Sequence, residues 1–294
     1  METPALASPI SWVGGKHVAA RRIIAAFPPI QSYGTYVDVF GGAAHVLVAK
    51  PPCHHLEVYN DVHGDLVNFW MMARDQPEAL QARLETLPFS RHLHALYRSS
   101  LQEETVLDDL ERAARWFYVM RSTFGGGPDF SKGWGYSVQE GNHRARTLRS
   151  ATALLTAMAA RFRLVQIECQ DFAALIPTYQ TRRTLLYCDP PYIGCEDYYN
   201  VGETPVFTTD DHARLAELLN ETPALVALSY YEHPLLEELY PAPKWRRMTW
   251  TQTKAIERTR ATRQYAHEVL LMNYSATQGQ LWPLDDKEPV HNDE

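Results

Sequence analysis

Tyr36-Val37-Asp38-Val39-Phe40-Gly41-Gly42 is a short β-rich run that ends in two glycines, and Ala43 to Lys50 behind it reads as the start of a helix that Pro51-Pro52 stops. Leu56 to Asn60 supplies the next apolar run, closed by Asp61, and Asp65 to Arg74 then has helical periodicity through Leu66, Phe69, Trp70 and Ala73. Strand, glycine turn, helix and strand in this order make a βαβ unit. Such crossovers are right-handed and leave their strands parallel, so the stretch opens a parallel sheet with helices packed on it.

From Pro77 to about Arg161 the pattern changes: Leu80, Leu84 and Leu87, then Leu107, Leu110, Ala114, Phe117 and Met120, recur at helical spacing with no clear strand between them. A helical block interrupts the sheet. Inside it Phe124-Gly125-Gly126-Gly127-Pro128, followed by Phe130, Lys132, Trp134 and Tyr136, forms a glycine-rich, aromatic and basic loop of the kind that often carries function. Strand signals resume at Phe162 to Glu168, Thr184 to Cys188, Ala224 to Leu228 and Ala266 to Asn273, with a helix at Asp210 to Asn220. The expected division is a sheet domain of residues 1–76 and 162–279, a helical insert of 77–161 and an acidic tail of 280–294.

Hydrophobic content of 45% and charged content of 21% over 294 residues match ordinary soluble proteins and exclude disordered and fibrous classes. No apolar run reaches membrane-spanning length and no secretory leader pattern opens the chain, so no membrane partner and a cytoplasmic location are expected. Cys53, Cys169, Cys188 and Cys195 lack zinc-type spacing and read as reduced. His54-His55 and the pair His92 and His94 have no companion ligands, so no metal is expected. Nothing in the sequence sets an oligomeric state.

A net charge of -7 speaks mildly against a polyanionic partner. Its distribution speaks for one: Arg112, Arg115, Arg121, Lys132, Arg144, Arg146 and Arg149 face only Asp129 and Glu140 in their stretch, and Lys244, Arg246, Arg247, Lys254, Arg258, Arg260 and Arg263 face Glu257 alone. Either stretch by itself suits a solvated helix face. Two in one acidic chain point to phosphate contact.

Leu185-Leu186-Tyr187-Cys188-Asp189-Pro190-Pro191-Tyr192 is an apolar strand that delivers a carboxylate, two prolines and an aromatic ring at its carboxyl end, the edge where open α/β sheets bind ligands. The prolines stiffen the turn and lack N–H donors, leaving the Pro190 carbonyl to accept from a ligand beside the Asp189 carboxylate. Two neighbouring acceptors match the two hydrogens of an amino group. Tyr192 offers a face on which an extruded base can stack. An aromatic amine is a weak nucleophile because its lone pair is delocalised; acceptors that localise the pair, in a pocket that holds the nitrogen in line with a sulfonium methyl, make transfer feasible without a strong base. The plain alternative is an ordinary strand exit, since Asp-Pro favours turns.

These residues resemble the adenine-N6 DNA methyltransferases, in particular those related to the Dam enzymes, and the resemblance covers most of residues 10 to 275. Trp12-Val13-Gly14-Gly15-Lys16 is similar to the family's N-terminal cofactor motif, Tyr36 to Gly42 to its first glycine-rich motif, Asn60-Asp61 to the acidic end of its second strand, and Asp189 to Tyr192 to its catalytic motif. The resemblance implies a Rossmann-like S-adenosyl-L-methionine-dependent sheet with an inserted helical target-recognition domain. The implied cofactor-binding set is Trp12, Lys16, Asp38, Phe40, Gly41, Gly42, Asp61 and the pair Asp171-Phe172, which resembles the adenine holder of the family. Arg121 to Gly126 is similar to the family's Arg-x-x-Phe-x-Gly stretch, which approaches DNA; Arg121, Phe124, Lys132, Arg144 and Arg146 are the candidate DNA contacts. The family often carries proline at the place of Val39 and more glycine where this chain has Ala43 and Ala44.

Several of these residues also allow a second reading. Asp61, 23 residues after Asp38, can accept from both hydroxyls of a ribose or cap the following helix. Lys16 can pair with a ligand carboxylate, pair with a motif carboxylate, or be solvated. Arg121 can clamp a phosphate or form an ion pair at a helix end. Asp171 can be a plain loop residue beside a core phenylalanine. The expected partner is double-stranded DNA, with a cognate restriction endonuclease as a further candidate. Rival activities are the same chemistry on RNA adenine or a protein amide, and a non-catalytic DNA-binding module on the same fold. A dehydrogenase is disfavoured because Gly41-Gly42 lacks the spaced third glycine of a dinucleotide fingerprint.

Overall fold

The computed structural model of the chain describes residues 6–12, 14–103, 105–125, 132–138, 143–196, 207–253 and 265–275. Helix α1 (Ala20–Ala25) leads into β1 (Thr35–Asp38), which lies parallel to β2 (Leu56–Asn60) with Val37 opposite Val58. The helix between them, α2 (His45–Ala49), is shorter than the run Ala43 to Lys50 suggests, because the chain turns through positive φ at Gly42 and again at Ala44 before it can coil. Ala44 thus holds a left-handed backbone, the conformation that glycine adopts most readily.

Gly41 is required for a different reason. A Cβ on it would lie 2.2 Å from Cε2 of Tyr59, and that ring cannot retreat: it is fully buried and its hydroxyl donates to the Gly42 carbonyl at 2.8 Å. Gly41→Ala is therefore expected to lower unfolding free energy by about 1–3 kcal/mol, the usual range for overpacking a closed core. A denaturant midpoint equal to wild type would show that the ring has room after all.

Among the described residues seven strands pair in the order β3-β2-β1-β4-β5-β7-β6, where β3 is Val165–Glu168, β4 Thr184–Cys188, β5 Leu225–Tyr231, β6 Arg246–Thr253 and β7 Tyr265–Met272. Strands β1 to β5 run parallel, and β7 lies antiparallel between β5 and β6. The chain moves outward from β1 through β2 to β3, then returns to place β4 on the other side of β1. Connections leave β1 and β4 in opposite directions, so a crevice opens between their carboxyl ends. Asp38 ends β1 there, and Asp189 follows β4.

One face of the sheet is covered by α1, α2, α3 (Gly64–Asp75), α4 (Pro77–Glu85), α5 (Arg91–Gln102), α6 (Asp109–Ser122), α7 (Arg144–Thr152) and α8 (Leu155–Phe162). The other is covered by α9 (Phe172–Tyr179), α10 (Thr209–Glu221) and α11 (Leu235–Leu239). Helices α4 to α8 come between β2 and β3 in the chain and share one apolar core with α3: Phe69 stacks on Phe117 at 5.0 Å and Trp70 on Phe162 at 4.5 Å. That last contact corrects one boundary. Phe162 ends α8, turned onto Trp70, and β3 starts only at Val165.

The second basic stretch is also corrected: Arg246 to Thr253 form the edge strand β6, not a helix face. Lys254, Arg258, Arg260 and Arg263 lie outside the described residues, as do Val13, Gly126 to Pro128, Phe130 and the acidic tail of 280–294. No helix among the described residues is long and apolar enough to cross a membrane.

Candidate active site

A cleft opens at the β1/β4 crevice, lined on its floor by Asp38, Phe40, Gly41 and Gly42, on one wall by Trp12, Lys16, His45 and His63, and on the other by Asp171, Phe172, Phe207 and Arg214. Asp61, Asp189 and Pro191 also line it. Four stretches expected from sequence to lie together thus do so, although they are separated by up to 177 residues between Trp12 and Asp189.

At the β4 end the Lys16 ammonium stands 2.8 Å from Asp189 Oδ1 and 4.7 Å from the centre of the Tyr192 ring, and also donates to the Gly14 carbonyl at 2.9 Å. Of the readings open to Lys16, the motif carboxylate is the one realised. Burial pushes the Asp189 carboxyl up from its ordinary value, and the Lys16 charge opposes that rise. Pro190 is buried, whereas Pro191 faces the cleft. Tyr192 is 3% exposed: its hydroxyl donates to Glu268 Oε2 at 3.0 Å, and the Tyr231 ring meets it edge-on at 4.5 Å.

On the floor, Asp38 is 2% exposed and its Oδ1 finds no hydrogen-bond partner among the described residues. Burial first, then the Asp189 charge, raise its pKa well above that of a free carboxyl. A buried acceptor left open on a ligand cleft calls for a donor from the ligand, and a cationic one would hold it ionised. Asp61 receives the Gly42 N–H on Oδ2 and the His63 N–H on Oδ1, both at 2.9 Å. It does not cap α3; that cap is the His63 ring, whose Nδ1 accepts from Leu66 N at 3.3 Å. Gly42, at φ +48°, packs against Trp12, where a Cβ would come within 2.9 Å of the indole.

The far wall is aromatic. Phe40, Phe172 and Phe207 stand 5.7 to 6.0 Å apart in a triangle of rings. Asp171 caps α9 by accepting from Ala173 N at 2.9 Å, and its carboxylate also pairs with Arg214, whose guanidinium lies 5.0 Å from the Phe172 ring. Phe207 and Arg214 were not singled out from sequence, and nothing local marks them; they reach the cleft because α10 packs beside α9. His45 was missed as well. Burial, aided by His17 and Lys16, drives its pKa down to about 4, so a neutral imidazole faces the cleft at neutral pH.

Arg121 neither meets a carboxylate among the described residues nor faces outward. Its Nη1 donates to Ser11 Oγ at 2.8 Å and its Nη2 to the Thr147 carbonyl at 3.3 Å, and burial, with Arg144 nearby, pushes its pKa down to about 10. Arg144 likewise donates to the Arg121 and Thr123 carbonyls at 3.1 and 3.0 Å. Both fasten the foot of the glycine-rich loop, which a bridge between Thr123 and Trp134 closes. Phe124, Lys132 and Arg146 are exposed. Ser11 adjoins Trp12, so this foot stands beside the cleft wall.

Residues 12–257 match the profile of the family described as D12 class N6 adenine-specific DNA methyltransferase. The chain is similar to the type II methyltransferase M1.LlaDCHI of Lactococcus lactis subsp. cremoris, at 25% identity over 90% of this chain and 94% of that protein. It is similar to the DNA N-6-adenine-methyltransferase of Escherichia phage P1, at 24% identity over 88% of this chain but only 34% of that longer protein. It also resembles the retron Ec67 DNA adenine methylase of Escherichia coli, at 24% identity over 71% of each chain.

Proposed function

Since the chain belongs to the D12 class of N6 adenine-specific DNA methyltransferases, we propose that it takes its methyl group from S-adenosyl-L-methionine in the β1/β4 cleft and delivers it to a flipped adenine over the Asp189–Tyr192 turn. Membership decides for adenine in DNA over RNA, a protein amide or mere DNA binding. The observation that carries the site assignment is the meeting of Asp189, Lys16 and the buried Tyr192 beside a cleft whose floor holds the open Asp38 carboxylate.

The residues fit this donor. Asp38 would receive a cationic amine, Asp61 would accept from ribose hydroxyls with lone pairs left over from its two backbone bonds, and Phe40, Phe172 and Phe207 would enclose an adenine ring beside Asp171. S-adenosyl-L-methionine supplies an electrophilic methyl on a positively charged sulfur. Asp189 accepts from the substrate amine and stabilises the positive charge that develops on it, and the Pro190 carbonyl is the second acceptor. Lys16 holds, in the absence of substrate, the place against the carboxylate and over the ring that the amine and base take during reaction. Its ammonium withdraws as the base enters.

The insert of residues 77–161 is assigned to target recognition, with residues 1–76 and 162–279 as the catalytic unit. Phe124, Lys132 and Arg146 are the DNA contacts of this reading, while Arg121 and Arg144 serve it by securing the loop foot. We place the enzyme in the cytoplasm with double-stranded DNA, and a restriction endonuclease of the same recognition sequence is the partner to seek. Counting labelled methyl groups on duplex DNA, followed by identification of the modified base, tests the reading; label on any group but adenine N6 would end it. In the same preparation Asp61→Ala is expected to weaken cofactor binding about tenfold by calorimetry, the order of one charge-assisted hydrogen bond, and an unchanged affinity would remove Asp61 from the cofactor site.

A further inference from the structure

Glu268 lies in β7, opposite Tyr231 of β5 and Trp250 of β6. Alternation along the strand puts it on the face of Leu270 and Met272, which belong to the apolar core under α1 to α8, while Val269 and Leu271 point to the other core. A carboxylate there breaks the strand's own pattern. It is 4% exposed, and a buried carboxylate persists only where partners offset its desolvation. Its partners are the Tyr192 hydroxyl, 3.0 Å from Oε2, and the charge of Lys16, which also answers Asp189. Burial raises the Glu268 carboxyl above its ordinary value, Asp189 adds to that rise and Lys16 opposes it.

The Tyr192 ring is thereby held at both ends: its backbone by Pro190-Pro191, its hydroxyl by a residue 76 positions further along the chain. With the ring buried and Tyr231 edge-on against it, the acceptor at its tip takes up the freedom that remains about its two side-chain bonds. We propose that Glu268 is a positioning residue for methyl transfer, fixing through the Tyr192 hydroxyl the plane of the ring that receives the flipped adenine. It acts on Tyr192 and not on the substrate. This inference rests on the assignment of Asp189 and Tyr192 to the reaction.

A double-mutant cycle tests it, using full-length protein, saturating S-adenosyl-L-methionine and single turnovers on duplex DNA. Glu268→Ala is expected to slow transfer about tenfold and Tyr192→Phe, whose hydroxyl also answers Asp189, by at least as much, with cofactor affinity within about twofold of wild type, and the double variant is expected to be no slower than Tyr192→Phe alone. Glu268→Gln, whose amide oxygen still accepts from the hydroxyl, is expected to recover most of the rate. Rates for Glu268→Ala or Tyr192→Phe within about twofold of wild type, or two losses that multiply in the double variant, would overturn the proposal. Should Glu268→Ala not fold, Glu268→Gln and Tyr192→Phe still decide it: the phenylalanine variant at wild-type rate is a refutation. Wild-type protein that places no methyl on adenine would instead overturn the assignment of the site itself.

Discussion

Asp189→Ala is expected to slow single-turnover methyl transfer by about a hundredfold to a thousandfold while S-adenosyl-L-methionine binding changes little. One preorganised group aimed at developing charge contributes about 2.7–4 kcal/mol of transition-state stabilisation, which its removal forfeits. On the proposed reading the attacking amine gains a bond and a positive charge, and Asp189, which follows β4 and lines the cleft, is the carboxylate that answers it. Cofactor binding survives because Asp38, Asp61 and the ring triangle are untouched. Rapid-quench kinetics with calorimetry on the same protein separates the two. Transfer at more than a fifth of the wild-type rate would take Asp189 out of the chemistry; loss of cofactor binding in step with rate would make it a binding residue instead.

Lys16→Ala carries the second large effect, on stability and on pH dependence together. Lys16 is 5% exposed and answers Asp189 directly and Glu268 through space, so its removal leaves carboxylates buried without a counter-charge. Breaking such a pair from one side usually costs about 3–5 kcal/mol. The pH effect has a definite sign. On the proposed reading Asp189 acts as the carboxylate, so kcat/KM, which reports the substrate-free protein where Lys16 is still paired with it, falls as pH drops through its pKa. Burial has raised that pKa and Lys16 holds it down. Without the ammonium the acid limb of the rate profile must begin at higher pH, whereas Lys16→Arg, which keeps the charge, should leave the limb nearer its original place. A limb that stays put or moves to lower pH in the alanine variant would show that Asp189 is not the group being titrated.

Much of the sheet is legible because its parallel strands are buried on both faces and read as largely apolar runs: Thr184 to Cys188 and, despite Glu57, Leu56 to Asn60 have the same bounds in sequence and structure. The edge strand β6 is not. One of its margins has no strand neighbour among the described residues, so Arg246, Arg247 and Thr249 sit among its apolar residues and the run reads as charge. Phe162 reads as strand because β-prone residues follow it closely, and only its contact with Trp70, 92 positions earlier, assigns it to a helix. The site divides in the same way. Asp38, Asp61 and Asp189 stand at strand ends, where sequence position alone places them in a crevice. Phe207, Arg214 and Glu268 arrive through helix and strand packing that no local pattern encodes.

Arg121 shows how a motif can be legible in the sequence while its contacts are not. Its residue type and neighbours match a DNA-facing stretch, yet its guanidinium lies inward on Ser11 and Thr147. A residue that sets where a loop is rooted accompanies the loop as faithfully as one that touches the ligand, and spacing cannot tell the two apart.

Strand β7 follows β6 in the chain but settles between β6 and β5, and this order governs how the enzyme comes into being on the ribosome. Until Tyr265 to Met272 has emerged, β5 has a bare margin and β6 has no neighbour among the described strands to join, so nascent chains halted earlier hold additional open strand edges prone to pairing with other molecules. The same segment brings Glu268. Assembly of the sheet and the hydrogen bond from Tyr192 to Glu268 are therefore completed by the same late segment, and a chain stopped before it is expected to aggregate and to be cleared by proteolysis.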